Sequence, residues 1–223
     1  MKSKRPGRPE RPQRPRQTAR PVTTLFLDIG GVLLTNGWDH LARRRAAETF
    51  KLSFDDIEAR HHLNFDTYEI GKIPLDTYLD RVVFDRPRPF TRAAFRQFMF
   101  AQSAPCPGMR ELMTRLKARH GLKIFVVSNE GRELNDHRIQ RFGLNRFVDS
   151  FVSSCFVGLR KPDEAIFKLA LDLAQVDPGE VVYVENTALF VTVAAGLGLR
   201  SILHTDLATT QKRLADFGLP DEG

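Results

Sequence analysis

From Pro105 onward the chain alternates short apolar runs with longer stretches whose apolar positions recur at helical spacing. The runs Leu122 to Val127, Phe147 to Val152, Val181 to Val184 and Arg200 to Leu203 predict strands. The stretches Met109 to His120, Glu133 to Phe142, Pro162 to Ala174, Leu189 to Leu197 and Ala208 to Phe217 predict helices. Earlier in the chain, Thr23 to Asp28 predicts a first strand. Residues 38–103 differ: Trp38 to Phe50, Ser53 to Leu63, Leu75 to Phe84 and Thr91 to Phe100 all carry helical patterns, with no strand among them. Strands separated by single helices of this length pair in parallel and need helices on both faces. The expected fold class is therefore α/β, a three-layer, doubly wound, Rossmann-like parallel sheet carrying an inserted helical segment.

Charge divides the chain at its start. The formal net charge is +7, yet residues 1–21 hold eight basic residues against the single acid Glu10, so residues 22–223 balance. Arg-Pro recurs through this stretch, from Arg5-Pro6 to Arg20-Pro21, and proline at that density neither packs nor continues a helix. Residues 1–21 read as a disordered, basic tail: a solvated leader, or alternatively a tether for nucleic acid or an acidic surface. No apolar core follows the charges, so it does not read as a secretory signal, and no later run is long and apolar enough to suggest a membrane span. Cys106 and Cys155 lack metal-ligand spacing and point to two free thiols in a reducing, cytoplasmic setting. The folded part divides into a core of residues 22–37 and 104–223 and a helical unit of residues 38–103.

The candidate chemistry lies at the strand ends. Leu25-Phe26-Leu27 stops at Asp28 and turns on Gly30-Gly31; Ile124 to Val127 stops at Ser128-Asn129; Val181 to Val184 stops at Glu185-Asn186. Lys161 precedes a helix start marked by Pro162. Each taken singly reads as a cap, a turn or a surface charge. In a parallel sheet they converge on one crevice, where they assemble a carboxylate nucleophile candidate, a hydroxyl, an ammonium and a second carboxylate. No Walker-type phosphate loop occurs, and Gly196-Leu197-Gly198 follows a helix, which makes it a helix terminator.

With these four matches in LFLDIGGVLL, VVSNEG, GLRKPDEAIFKLAL and VVYVENTALFVTVAAGLGL, residues 22–217 resemble the haloacid dehalogenase superfamily of hydrolases. Residues 38–103 resemble the small helical cap of its first subfamily. The resemblance implies a phosphohydrolase of small phosphorylated metabolites, with Asp28 as nucleophile forming an aspartyl-phosphate. It implies Mg²⁺ held by Asp28, Glu185 and the backbone carbonyl of Gly30. Ser128 and the amide of Asn129 would hydrogen-bond the phosphoryl oxygens, and Lys161 would neutralise them and steady Asp28.

Two positions depart from that pattern. The family's phosphatases usually carry a second aspartate two residues after the nucleophile, as general acid and base, where this chain has Gly30; its loss costs about 10²- to 10⁴-fold in rate. A cap histidine, His40, His61 or His62, is a candidate substitute. Glu185-Asn186 stands where the family commonly has two aspartates, which implies weaker metal binding. Two alternatives stay open: a metal-independent 2-haloacid dehalogenase, and a catalytically weak binding or regulatory protein. The substrate is not legible, though Trp38, Asp66, Tyr68 and Tyr78 stand among the residues expected to select it. Asp66 to Glu69 reads as a joint between two cap helices.

Overall fold

The computed structural model describes residues 20–221. The expectation for the basic tail falls almost entirely on residues 1–19, outside the described residues. Five strands, β1 (Thr24–Leu27), β2 (Lys123–Ser128), β3 (Ser150–Ser153), β4 (Val181–Glu185) and β5 (Arg200–Leu203), form one sheet in the order β3-β2-β1-β4-β5. Every pairing is parallel. The expected α/β sheet is therefore present, with the first strand at its centre and all strand ends at one edge.

The strands alternate their side chains between two apolar layers, as the period of two requires. Leu25, Leu27, Ile124, Val126, Val182 and Val184 pack on one face against α6 (Met109–His120) and α11 (Leu207–Asp216). Phe26, Phe125, Val127, Val181 and Tyr183 pack on the other against α9 (Glu164–Ala174) and α10 (Ala188–Gly196). Both faces are covered, which explains why these strands read as nearly continuous apolar runs. Helix α7 (Arg132–Arg141) links β2 towards β3.

Between β1 and β2 lie α1 (His40–Phe50), α2 (Phe54–His62), α3 (Phe65–Glu69), α4 (Leu75–Val82) and α5 (Arg92–Ala101). Their starts are set by side-chain caps: Asp39 accepts from the Ala42 amide at 2.8 Å, Ser53 from Asp56 at 3.2 Å and Thr91 from Ala94 at 3.1 Å. These helices have a core of their own in which Trp38, Tyr78, Leu79, Phe95 and Met99 are buried. Fully buried Phe95 lies 5.7 Å from Trp38, edge-on, and 4.9 Å from Phe50. An aromatic enclosed this way stabilises the unit by about 1.5–3 kcal/mol.

Three local readings change. Asp66 to Glu69 is itself helical, as α3, because the joint has to turn while presenting Tyr68 to the interior. A further short helix, α8 (Ser154–Val157), follows β3 directly. The α9 helix begins at Glu164 and not at Pro162: Asp163 caps it by accepting from Ala165 N at 2.9 Å, and a side-chain cap outweighs the preference of proline for a first turn.

Of the helices between β1 and β2, the unit α1 to α5 sits on the strand-end edge, whereas α6 covers a face of the sheet. Leu75 N donates to Glu133 Oε1 at 2.9 Å, and Ser154 Oγ donates to the carbonyl of Glu69 at 2.7 Å. Gly131 is required by this contact, since a Cβ there would lie 2.0 Å from the Tyr68 ring.

Candidate active site

Asp28 follows β1 directly, and its amide donates to the Val184 carbonyl at 3.1 Å, which continues the β1–β4 ladder to the carboxylate itself. Its side chain is buried against Lys161, whose Nζ lies 3.0 Å from Asp28 Oδ1 and 2.6 Å from Glu185 Oε2. The contact with Asp28 is one of charge, because Oδ1 receives no well-directed hydrogen bond. Tyr183 completes the cluster: its hydroxyl accepts from Lys161 at 3.2 Å and donates to Glu185 Oε2 at 2.5 Å. The remaining Glu185 oxygen accepts from the Thr187 amide at 2.9 Å.

One ammonium thus serves two carboxylates. Burial alone would drive the Lys161 pKa down, but the charges of Asp28 and Glu185 raise it, so Lys161 is firmly cationic. Burial raises the Glu185 pKa, and Asp28's negative charge adds to the rise against the opposing pull of Lys161 and Tyr183. With both acids ionised the cluster carries one net negative charge. A phosphate dianion entering it would meet that charge, and a divalent cation would offset it.

The oxygens around Asn186 suit such a cation. Turned one way, its amide donates to Gly30 O at 3.1 Å and Glu185 Oε1 at 2.9 Å; turned the other way, it sets its own oxygen at those distances. Neighbouring oxygens around an octahedral Mg²⁺ ion stand about 3 Å apart. Among the described residues no three acidic, histidine or cysteine side chains converge as a metal-ligand set. The donors are two carboxylates, of which Asp28 Oδ1 is unpartnered by hydrogen bonds, and neutral oxygens. They fit a hard cation, held with less charge than three acids would supply.

Ser128 and Asn129 stand differently. Ser128 is buried and donates through Oγ to Glu130 Oε1 at 3.3 Å. The Asn129 side chain grips the backbone of Lys161 at both groups, accepting from its amide at 2.8 Å and donating to its carbonyl at 2.9 Å. Asn129 therefore sets where Lys161 leaves the backbone, which no spacing in the sequence suggests. Sequence reasoning also missed the buried ion pair of Glu130 with Arg138 at 2.5 Å. Burial raises the Glu130 pKa despite that pairing.

The two glycines after Asp28 differ in kind. Gly31 has φ +72°, and a Cβ there would come within 2.0 Å of Asn186, so the backbone demands glycine. Gly30 has no such strain, and a Cβ would meet Asn36 at an ordinary 3.5 Å. The missing side chain at position 30 is a chemical choice and not a steric one.

Above Asp28 lies a cavity of about 260 Å³ walled by Gly30, Asn129, Glu130, Arg138, Lys161 and Asn186 from the strand edge, and by Trp38, His61, Phe65, Tyr68 and Tyr78 from the helices above. Of the three histidines considered as substitute acids, only His61 borders this cavity; His40 and His62 are exposed. Burial and the neighbouring Arg43 lower the His61 pKa to about 3. Its ring is neutral near pH 7 and cannot serve as a proton-loaded acid. Both cysteines are free, and burial drives the Cys155 thiol up to about 12 and Cys106 upward as well, away from the thiolate form.

A family profile of haloacid dehalogenase-like hydrolases matches residues 22–194, which include Asp28, Ser128, Lys161 and Glu185. The chain belongs to that family of hydrolases. A relative from Methanothermobacter thermautotrophicus, glyceraldehyde 3-phosphate phosphatase, is 27% identical over 180 residues, covering 73% of this chain and 76% of the relative. The bifunctional epoxide hydrolase 2 of Sus scrofa is 36% identical over 71 residues, 32% of this chain but only 13% of that much longer protein. In fold, the chain resembles the magnesium complex of a haloacid dehalogenase family enzyme, bt-2542, from Bacteroides thetaiotaomicron, with a TM-score of 0.71 at 19% identity over 84% of this chain and 95% of the other. Among the described residues no helix is long and apolar enough to cross a membrane.

Proposed function

We propose that this hydrolase is a Mg²⁺-dependent phosphatase of a small phosphorylated metabolite, working through an aspartyl-phosphate on Asp28. The observation that carries the reading is the Asp28–Lys161–Glu185 cluster, a carboxylate held 3.0 Å from a buried ammonium at the floor of the cavity. The Asp28 carboxylate attacks phosphorus, the bond to the leaving oxygen breaks, and water then cleaves the acyl phosphate. Lys161 keeps the carboxylate aimed and neutralises the phosphoryl oxygens as charge moves onto them. Asp28, Glu185 and the Gly30 carbonyl hold the cation, with Asn186 beside them. When bound, Mg²⁺ supplies the positive charge that lets a dianion approach two carboxylates. Ser128 and the Asn129 amide receive the phosphoryl oxygens.

We assign residues 22–37 and 104–223 to the catalytic core and residues 38–103 to a cap that closes the cavity and excludes large substrates. The name of the archaeal phosphatase relative supports a small phosphorylated substrate. With no acid at position 30, the leaving oxygen takes its proton from water, which favours leaving groups of low pKa and makes the enzyme slow on alkyl phosphates.

The test is a panel of small phosphate esters, with and without Mg²⁺, on the wild type and Asp28→Asn. Turnover that requires Mg²⁺ and disappears in Asp28→Asn is expected; equal rates in the two proteins overturn the proposal. Gly30 also favours a second reading, a 2-haloacid dehalogenase, which needs no acid two residues after its nucleophile. Halide release from 2-haloacids without Mg²⁺ would put that reading first.

A further inference from the structure

The cavity roof contains a chain of three polar groups whose proton positions are fixed by chemistry. Trp38 Nε1 can only donate, and it lies 3.0 Å from the Tyr78 hydroxyl, which therefore accepts. Burial pushes the Tyr78 phenol upward, so it keeps its proton. Among the described residues that proton has one acceptor, His61 Nδ1 at 2.7 Å. A neutral imidazole that accepts at Nδ1 carries its hydrogen on Nε2. Nε2 has no hydrogen-bond partner among the described residues, yet it is not one of the sealed, unsatisfied atoms of the interior. The ring borders the cavity and stacks on Phe65 at 5.0 Å, which fixes its plane.

Burial above all keeps His61 neutral, and of the groups that face it only Glu58 pulls the other way. Arg43 from α1 disfavours a second positive charge, Glu58 from α2 is engaged by Arg43, His62 adds a further disfavouring charge when protonated, and Tyr78 from α4 offers a donor. We propose that His61 is a specificity-determining residue, an uncharged Nε2–H donor that recognises an uncharged acceptor oxygen, carbonyl or hydroxyl, on the organic part of the substrate.

The charges around the cavity support an uncharged partner. Each cation that borders it is already paired: Lys161 with Asp28 and Glu185, Arg138 with Glu130, and Arg160 with Glu69 and Asp66. A second anionic group on the substrate would find no unpaired cation there. Phe65, Met99, Leu134 and Phe190 supply apolar walls for a short carbon skeleton. The substrate class is thus a monophosphate of a short, otherwise uncharged oxygenated compound. This deepens the phosphatase reading and rests on it, but the tautomer can be tested without turnover.

Nitrogen NMR of the full chain labelled with ¹⁵N, from about pH 5 to about pH 8, should show His61 with a hydrogen-bearing Nε2 and a bare Nδ1 throughout. Tyr78→Phe should release that preference while leaving the ring neutral. Two non-hydrolysable phosphonates of matched length, one with a carbonyl in its organic arm and one with a methylene, are then titrated with Mg²⁺ present. The carbonyl member should move the His61 Nε2 resonance and bind about tenfold more weakly to His61→Phe than to the wild type. His61→Gln, which keeps a donor near the same place, should recover most of that loss, and the methylene member should bind all three proteins alike. A ring protonated in this range, a hydrogen on Nδ1, or equal weakening of both phosphonates would overturn the proposal. Failure of every phosphate ester to turn over would count against the phosphatase reading alone, because tautomer and binding are read separately.

Discussion

The floor and the roof of the cavity solve the burial of polar groups in opposite ways. At the floor, one buried ammonium, Lys161, faces two buried carboxyl groups, Asp28 and Glu185. In the roof, Trp38, Tyr78 and His61 are buried as neutral groups, each proton placed by its neighbour. Burying ions costs several kcal/mol apiece and is repaid only by close partners. An unbalanced cluster of this kind makes sense where a further charge is to be received. A neutral relay costs far less and reads shape and hydrogen bonding, which is what selecting the organic part of a substrate requires.

Neutralising the floor should do the most damage. Asp28→Asn keeps the size of the side chain and removes the nucleophile, so turnover of the best ester should fall by about 10⁴-fold or more in a steady-state assay. Lys161→Met removes the only cation the two carboxylates share. Urea unfolding should show a loss of about 3–5 kcal/mol, part of it recovered when Mg²⁺ is added. If Mg²⁺ restores nothing, the oxygens around Asn186 do not hold it.

The roof can be read through acid. His61 stays neutral in the folded chain down to about pH 3 but takes a proton near its ordinary 6.5 when unfolded. The unfolded state therefore binds more protons between those values, so this residue's contribution to stability is complete above about pH 6.5 and is lost as pH falls towards 3. Unfolding free energies should decline over that window by of the order of 4 kcal/mol more in the wild type than in His61→Gln. Equal slopes would mean the ring is not held neutral.

The smallest effect concerns the gap between floor and roof. The Cβ that Gly30→Asp adds meets Asn36 at an ordinary 3.5 Å, and the substitution supplies the missing acid, so hydrolysis of alkyl phosphates should rise by about 10²-fold. An unchanged rate would mean that protonation of the leaving group is not what limits the enzyme.

Much of the floor was legible in the sequence. Apolar runs ending at Asp28, Ser128 and Glu185 and separated by helices predict parallel strands with their ends at one edge, and the observed order β3-β2-β1-β4-β5 sets those ends side by side. Lys161 was identified by its place before a helix, although α9 starts later than Pro162 suggested. The roof was not legible. Trp38 and Tyr78 are forty residues apart, and His61 and Tyr78 belong to different helices, so no local spacing marks them as a relay. Tyr183 passed as one more apolar position of β4, and Asn129, expected to act through its amide, showed its side-chain grip on Lys161 only in the structure.

By itself the sequence determined the sheet, its parallel sense, the helical character of residues 38–103, and the polar groups Asp28, Ser128 and Glu185 at the strand ends, because these follow from the period of apolar positions and from where each run stops. The tertiary structure decided the protonation of His61, the sharing of Lys161 between two carboxylates, and the difference between a required Gly31 and a merely chemical Gly30. Those depend on the direction of single hydrogen bonds and on distances of a few ångströms between segments far apart in the chain, which periodicity does not encode.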